Sequence, residues 1–333
     1  MDFTPKKRLS LDQYLNGIKN GDKIILSQAI TLAESALASD RKMADELIVH
    51  LLSGTGNSMR IGITGIPGVG KSTFIETLGK HITSEGFKLA VLAVDPTSTK
   101  TKGSILGDKT RMESLANNPD AFIRPSPTKE SLGGVSINTR ETVLLCEAAG
   151  FNVIFIETVG VGQSEVMVKE MVDFFLLLML AGAGDELQGI KKGIMEMADA
   201  VLITKADGDN IKRTQQAQSQ FQSALHLFAP SSAGWIPKVL TCSSLNDEGL
   251  TEIWELIGEF QQTMKKTGYF EENRKLQKVN WLHHEIKSRL ESNFYNHPLT
   301  SKNLAAIEKK VISGEISANQ AAQKLLSAIS NEK

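Results

Sequence analysis

The octapeptide Gly65-Ile66-Pro67-Gly68-Val69-Gly70-Lys71-Ser72 constrains this chain more than any other segment. Its glycine spacing and Lys-Ser ending match a phosphate-binding loop, whose backbone curls so that successive N–H groups face phosphate oxygens. The helix that follows adds the partial positive charge of its N-terminus. In such a loop Lys71 reaches the β- and γ-phosphates, and the Ser72 hydroxyl ligates Mg²⁺. The flanks agree: Arg60–Thr64 reads as a short buried strand and Thr73–Ile82 as a helix, the required strand–loop–helix setting.

That setting predicts an α/β fold of the P-loop NTPase type, a mostly parallel sheet with helices on both faces. Short β-branched runs alternate with helical stretches, and the expected strands are Arg60–Thr64, Lys88–Val94, Asn152–Glu157, Asp173–Leu180, Ala200–Thr204 and Pro237–Thr241. Ligands then gather at the carboxyl ends of the strands. Residues 1–57 read as a helical N-terminal extension, with Ser10 and Asp22 as helix caps. Residues 58–260 form the expected nucleotide-binding domain. Residues 261–333 read as a helical C-terminal arm, one long helix from Glu271 to Asn296 stopped at His297-Pro298, then two shorter ones. Packing on the same chain and joining two subunits are equal alternatives for that arm.

Composition excludes several classes. Across 333 residues the net charge is −1, from 37 basic and 38 acidic side chains, so no general field favours nucleic acid or an anionic membrane. The most apolar run, Phe174–Ala181, is far shorter than the about 20 residues a membrane span needs. The start of the chain lacks an apolar signal core, and two cysteines in apolar surroundings, Cys146 and Cys242, suit a reducing compartment. A cytoplasmic location is the expectation.

Further candidate residues sit at strand ends. Asp95 follows the second strand and either acts on Mg²⁺ or caps the turn before Pro96. The stretch Gly103–Arg111 is a nucleotide-sensing switch with Asp108 near the metal, or a surface loop. Glu157 ends the next strand as a metal-binding acid. The Gly160 N–H is placed to sense the γ-phosphate, and Gln163 either orients a water or is an exposed loop residue. Thr204-Lys205-Ala206-Asp207 follows another strand. A carboxylate there accepts two hydrogen bonds from guanine that adenine cannot offer, and the Lys205 stem can cover the base. After the last strand, Ser243, Ser244 and Leu245 stand where backbone N–H groups commonly bond the guanine oxygen. GTP is therefore expected over ATP, with Mg²⁺, although the usual first residue of the base motif is Asn rather than Thr204. The pair His283-His284 shares no helix face, so it makes no metal site.

Three longer segments, Asp95–Met112 (DPTSTKTKGSILGDKTRM), Glu157–Glu165 (ETVGVGQSE) and Leu180–Asp199 (LAGAGDELQGIKKGIMEMAD), resemble the MeaB/ArgK GTPases over nearly the whole chain. These are chaperones of adenosylcobalamin-dependent methylmalonyl-CoA mutase. The resemblance implies a homodimeric GTPase that gates cobalamin delivery to a mutase and protects that mutase from inactivation. It implies that Ser72, Asp95, Asp108 and Glu157 surround Mg²⁺. It also implies that Ala181–Lys191 is a mutase-sensing switch with Lys191 reaching the nucleotide, where Lys71, Lys191 and Gln163 would serve the reaction. The same Thr in the base motif occurs in signal-recognition-particle GTPases. Two further readings stay open: a kinase acting in basic amino-acid transport, and a metallochaperone GTPase, which the scarcity of His and Cys disfavours.

Overall fold

The computed structural model describes residues 8–35, 37–94, 112–126, 132–158, 164–182, 192–226 and 234–330. Three helices open the chain: α1 (Leu11–Lys19), α2 (Lys23–Ala33) and α3 (Ala38–Leu51), followed by a 3₁₀ turn at Leu52–Gly54. Ser10 and Asp22 cap the first two as expected. Ser10 and Gln13 form a reciprocal capping box, and one Asp22 carboxylate oxygen accepts from the N–H groups of Ile24 and Ile25.

Strands and helices then alternate: β1 (Met59–Gly65), α4 (Lys71–Ser84), β2 (Leu89–Val94), α5 (Glu113–Ala116), β3 (Ala121–Ser126), α6 (Leu132–Ala148), β4 (Val153–Thr158) and α7 (Ser164–Lys169). They continue with β5 (Phe174–Leu180), α8 (Lys192–Met197), β6 (Ala200–Thr204), α9 (Ile211–Leu225), β7 (Lys238–Thr241) and α10 (Leu250–Lys266). The seven strands form one sheet in the order β3-β2-β4-β1-β5-β6-β7, with every neighbouring pair parallel. Six of them coincide with expectation to within a residue or so at each end. The seventh, β3, was not expected.

Both faces of the sheet are covered, which is why its strands read as nearly continuous apolar runs. Ile61, Ile63, Phe155, Phe174, Leu176 and Leu178 pack with α4 and α10 on one face. Ile154, Ile156 and Phe175 pack on the other with α6, α7 and the three N-terminal helices, and Leu177, Met179, Val201 and Ile203 continue that side under α8 and α9. Each such Leu, Ile or Phe contributes about 1.5–3 kcal/mol when fully buried.

Side chains occupy some of the outer backbone groups at both edge strands. At β3, the Lys23 ammonium donates to the carbonyls of Asn118 (3.0 Å) and Ala121 (2.6 Å). At β7, the Gln222 carbonyl accepts from the N–H of Val239 (3.1 Å), while Gln218 donates to the Val239 carbonyl (2.8 Å).

The helix α11 (Tyr269–Tyr295) comes next, and its first turns belong to the same compact unit, which ends at Gln277. The Arg274 guanidinium donates to both carboxylate oxygens of Asp173, at 2.8 and 2.7 Å, and to the carbonyls of Gly56 and Ser58. Its Cζ lies 4.5 Å from the Phe270 ring centre. Gln277 donates to the Val172 carbonyl and accepts on its own backbone from buried Arg140. A second unit, Lys278–Lys333, comprises the rest of α11 with α12 (Pro298–Ile312) and α13 (Ala318–Ser330). Within it α12 packs on α13, and His297-Pro298 caps and starts α12 just after α11 ends. Among the described residues no helix is long and apolar enough to cross a membrane.

Candidate functional site

The phosphate loop leaves β1 at Gly65, where the strand presses against β5. A Cβ at Gly65 would lie 2.6 Å from the Leu178 carbonyl oxygen, so no larger residue fits without moving the sheet. Val69 is fully buried and anchors the loop, Ile66 is partly buried, and Pro67 and Gly68 are exposed at its rim. Gly70 caps α4, so Lys71, Ser72 and Thr73 supply the first turn of that helix.

The Lys71 ammonium donates to the carbonyls of Gly65 (2.7 Å) and Ile66 (3.3 Å). Burial lowers its pKa, opposed by the negative charges of Glu157 and Glu165. The cation is thus held within its own loop and partly stripped of water, ready to meet phosphate oxygens. Glu157 lies at the carboxyl end of β4, opposite Ile63 of β1 and Ala93 of β2, and is buried. Beside it the buried hydroxyls of Thr158 and Thr64 share a hydrogen bond of 2.7 Å, tying β4 to β1 directly below the loop.

A second group forms at the ends of β6 and β7 along the same sheet edge. Thr204 is buried, and its hydroxyl donates to the Val69 carbonyl at 2.7 Å, with the Met179 carbonyl at 3.3 Å. Lys205 takes φ +59°, the left-handed region that non-glycine residues rarely adopt, and its side chain is exposed. The Ala206 N–H bonds the Cys242 carbonyl, joining the two loops. Asp207 presents its carboxylate with one oxygen fixed by the Ser243 hydroxyl at 2.6 Å. Backbone bonds between Ser243 and Glu248, each 3.0 Å, close the turn that carries Ser244 and Leu245, and Leu245 is 79% exposed.

Lys71, Ser72 and Glu157 therefore lie at one part of the carboxyl edge, and Thr204, Lys205, Asp207, Ser243, Ser244 and Leu245 at another. Gly65 to Gly70 runs at the end of β1, which the sheet order sets between β4 and β5. Asp95, Asp108, Gly160, Gln163 and Lys191 lie outside the described residues. Two roles had no sequence signal strong enough to assign: the Thr204 link to the phosphate loop, and the Ser243 hydroxyl on Asp207. Ser243 was expected to act through its backbone alone. The site offers a phosphate loop with a cation inside it and, further along the same sheet edge, a carboxylate held by the Ser243 hydroxyl.

The sequence model of the MeaB family, described as methylmalonyl-CoA mutase-associated GTPase, matches residues 26–298. A probable GTPase of Mycobacterium tuberculosis is 48% identical over 317 residues, 95% of this chain and 94% of that protein. The mouse mitochondrial methylmalonic aciduria type A homolog is 44% identical over 336 residues, covering 98% of this chain and 81% of that protein. Among solved structures, a LAO/AO transport system kinase superposes with a TM-score of 0.76 at 35% identity, spanning 98% of this chain and all of that one. A phosphate loop of this form at the end of β1, a family model matching residues 26–298 and relatives 44–48% identical over nearly the whole chain lead to one conclusion: the chain belongs to the MeaB family of GTPases.

Proposed function

We propose that this GTPase hydrolyses GTP to GDP and phosphate in order to gate adenosylcobalamin loading of methylmalonyl-CoA mutase or a related acyl-CoA mutase, and that it protects that mutase from inactivation. The carrying observation is the match of residues 26–298 to a family described by its association with that mutase. The mouse relative, named for methylmalonic aciduria, supports the same assignment.

The chemistry is positioning and electrostatic stabilisation. Asp207, steadied by Ser243, accepts from the guanine ring N–H and amine. The loop N–H groups and Lys71 hold the phosphates and offset charge that develops as the γ-phosphoryl group leaves. Ser72 and Glu157 fit a hard divalent cation, since a hydroxyl and a buried carboxylate are oxygen donors beside the phosphate loop, and Asp95 and Asp108 would complete the set. Mg²⁺ there would neutralise phosphate charge. Gly160 and Gln163 would sense the γ-phosphate and orient water, and Lys191 would reach the nucleotide from a switch that answers to the mutase. The functional form in this reading is a homodimer joined through the C-terminal helices, in the cytoplasm, where two buried free cysteines remain reduced.

The test is co-purification with a cobalamin-dependent mutase and measurement of GTP hydrolysis alone and in the complex. Binding with altered turnover supports the proposal; a mutase that neither binds nor changes turnover defeats it while leaving the GTPase. The solved relative named as a transport kinase favours a second reading, phosphoryl transfer to a component of basic amino-acid transport. Transfer of radiolabel from [γ-³²P]GTP to an amine or protein acceptor, rather than to water, would favour it.

A further inference from the structure

Glu165 is a buried carboxylate to which the site described above gives no role. It is 2% exposed, and its Oε2 finds no hydrogen-bond partner among the described residues. A carboxylate stripped of water and left unpaired is costly, and natural chains keep such groups where a ligand compensates them.

Its placement says which ligand. Helix α7 rests on β1 because β1 carries Gly62 there: a Cβ at Gly62 would meet Val168 Cγ1 at 3.0 Å and Phe175 Cδ2 at 2.8 Å. Glu165 precedes Val168 by three residues and so shares its helix face, one turn nearer the carboxyl end of the sheet. That end of β1 is Gly65, where the phosphate loop begins. The negative charge of Glu165 is felt by Lys71, as is that of Glu157. Yet the Lys71 ammonium donates to the Gly65 and Ile66 carbonyls, and no ion pair joins it to Glu165 among the described residues. Glu165 is therefore a buried carboxylate with no ion pair among the described residues, beside a cation that is already engaged. A bound nucleotide would add further negative charge to that side of the site. The imbalance calls for a divalent cation with its own water, the species that can bring both charge and hydrogen-bond donors to a carboxylate.

We propose that Glu165 is a positioning residue for the nucleotide-bound divalent cation, accepting hydrogen bonds from water that the cation holds. The inference rests on the Mg²⁺-dependent reading of the site and adds to it a residue outside the set of Ser72, Asp95, Asp108 and Glu157. It explains why an otherwise apolar helix face, with Val168 on β1, keeps a carboxylate at its upper end.

The experiment compares full-length wild type with Glu165→Gln and Glu165→Asp. Mn²⁺ binding to the GDP complex is measured by electron paramagnetic resonance, and the melting temperature is taken without nucleotide or metal. The expected result for Glu165→Gln is Mn²⁺ affinity about 10- to 100-fold weaker, with a metal-free melting temperature equal to or above wild type, because an unpaired buried charge has gone. Glu165→Asp should recover part of the affinity. Mn²⁺ affinity within twofold of wild type in Glu165→Gln overturns the inference and leaves the Mg²⁺ site standing. A lowered metal-free melting temperature overturns it too, since that marks a structural carboxylate. Wild type that binds no Mn²⁺ with GDP overturns both this inference and the metal reading beneath it.

Discussion

The Thr204 hydroxyl donates to the Val69 carbonyl at 2.7 Å, so the strand leading into the base loop holds the phosphate loop directly. Threonine thereby makes, with one donor, a link between the two halves of the nucleotide site. Thr204→Val keeps the shape and removes the donor, leaving a buried carbonyl short of a partner at a cost of about 1–3 kcal/mol. We expect GDP and GTP affinity to fall together by roughly one to two powers of ten, read by titration calorimetry. Unchanged affinity for both would show the bond to be incidental.

Lys71→Ala should abolish GTP hydrolysis with the fold intact. The ammonium is desolvated and bonded only to loop carbonyls, so its loss removes phosphate stabilisation without opening the core. A phosphate-release assay together with circular dichroism checks both halves. Turnover at the wild-type rate would refute the site.

Asp207→Asn should relax the preference for GTP over xanthosine triphosphate, because an amide cannot accept both guanine hydrogens. Ser243→Ala is the subtler variant. Its hydroxyl bonds a charged oxygen, an interaction of about 1.5–3 kcal/mol, and its loss should weaken guanine nucleotides while leaving the base preference unchanged. Competition binding with the two nucleotides separates the outcomes.

Arg274→Met should lower stability by about 3–5 kcal/mol, since it strands the nearly inaccessible Asp173 carboxylate without its bidentate partner. Denaturant titration gives the value. Replacing Asp173 and Arg274 together should cost less than the sum of the single changes.

Neither cysteine should react with a thiol reagent at pH 8 in the folded chain. Burial pushes the Cys242 thiol up to about 12 and that of Cys146 higher still, so the reactive thiolate is scarce and shielded. Both should label on unfolding in guanidinium chloride. Rapid labelling of the native protein would contradict the burial.

Six strands were legible because each is a run of Val, Ile, Leu and Phe buried on both sides of a parallel sheet. The missing one, Ala121–Ser126, carries Arg124 and Pro125, which break that pattern. An edge position tolerates them: Arg124 reaches out to Glu34, which caps the end of α2, at 2.6 Å, and a residue that cannot donate to a ladder is admissible there. The phosphate loop was legible because its backbone conformation demands those residue types locally, and Asp207 stood out because guanine recognition would call for a carboxylate after that strand. The Thr204–Val69 and Ser243–Asp207 bonds were not, since they join residues 135 and 36 positions apart, and only the fold makes them neighbours.

The occupied edge groups of the sheet bear on how the protein behaves in a crowded solution. An open parallel sheet offers a foreign strand two templates on which to grow. At β3 that strand would find the Ala121 carbonyl taken by Lys23 and a proline four residues on. At β7 it would find four residues whose central N–H and carbonyl at Val239 are both claimed by glutamines of α9. Side chains arriving from helices thus cover part of each edge, and strand addition finds fewer open backbone groups at either end.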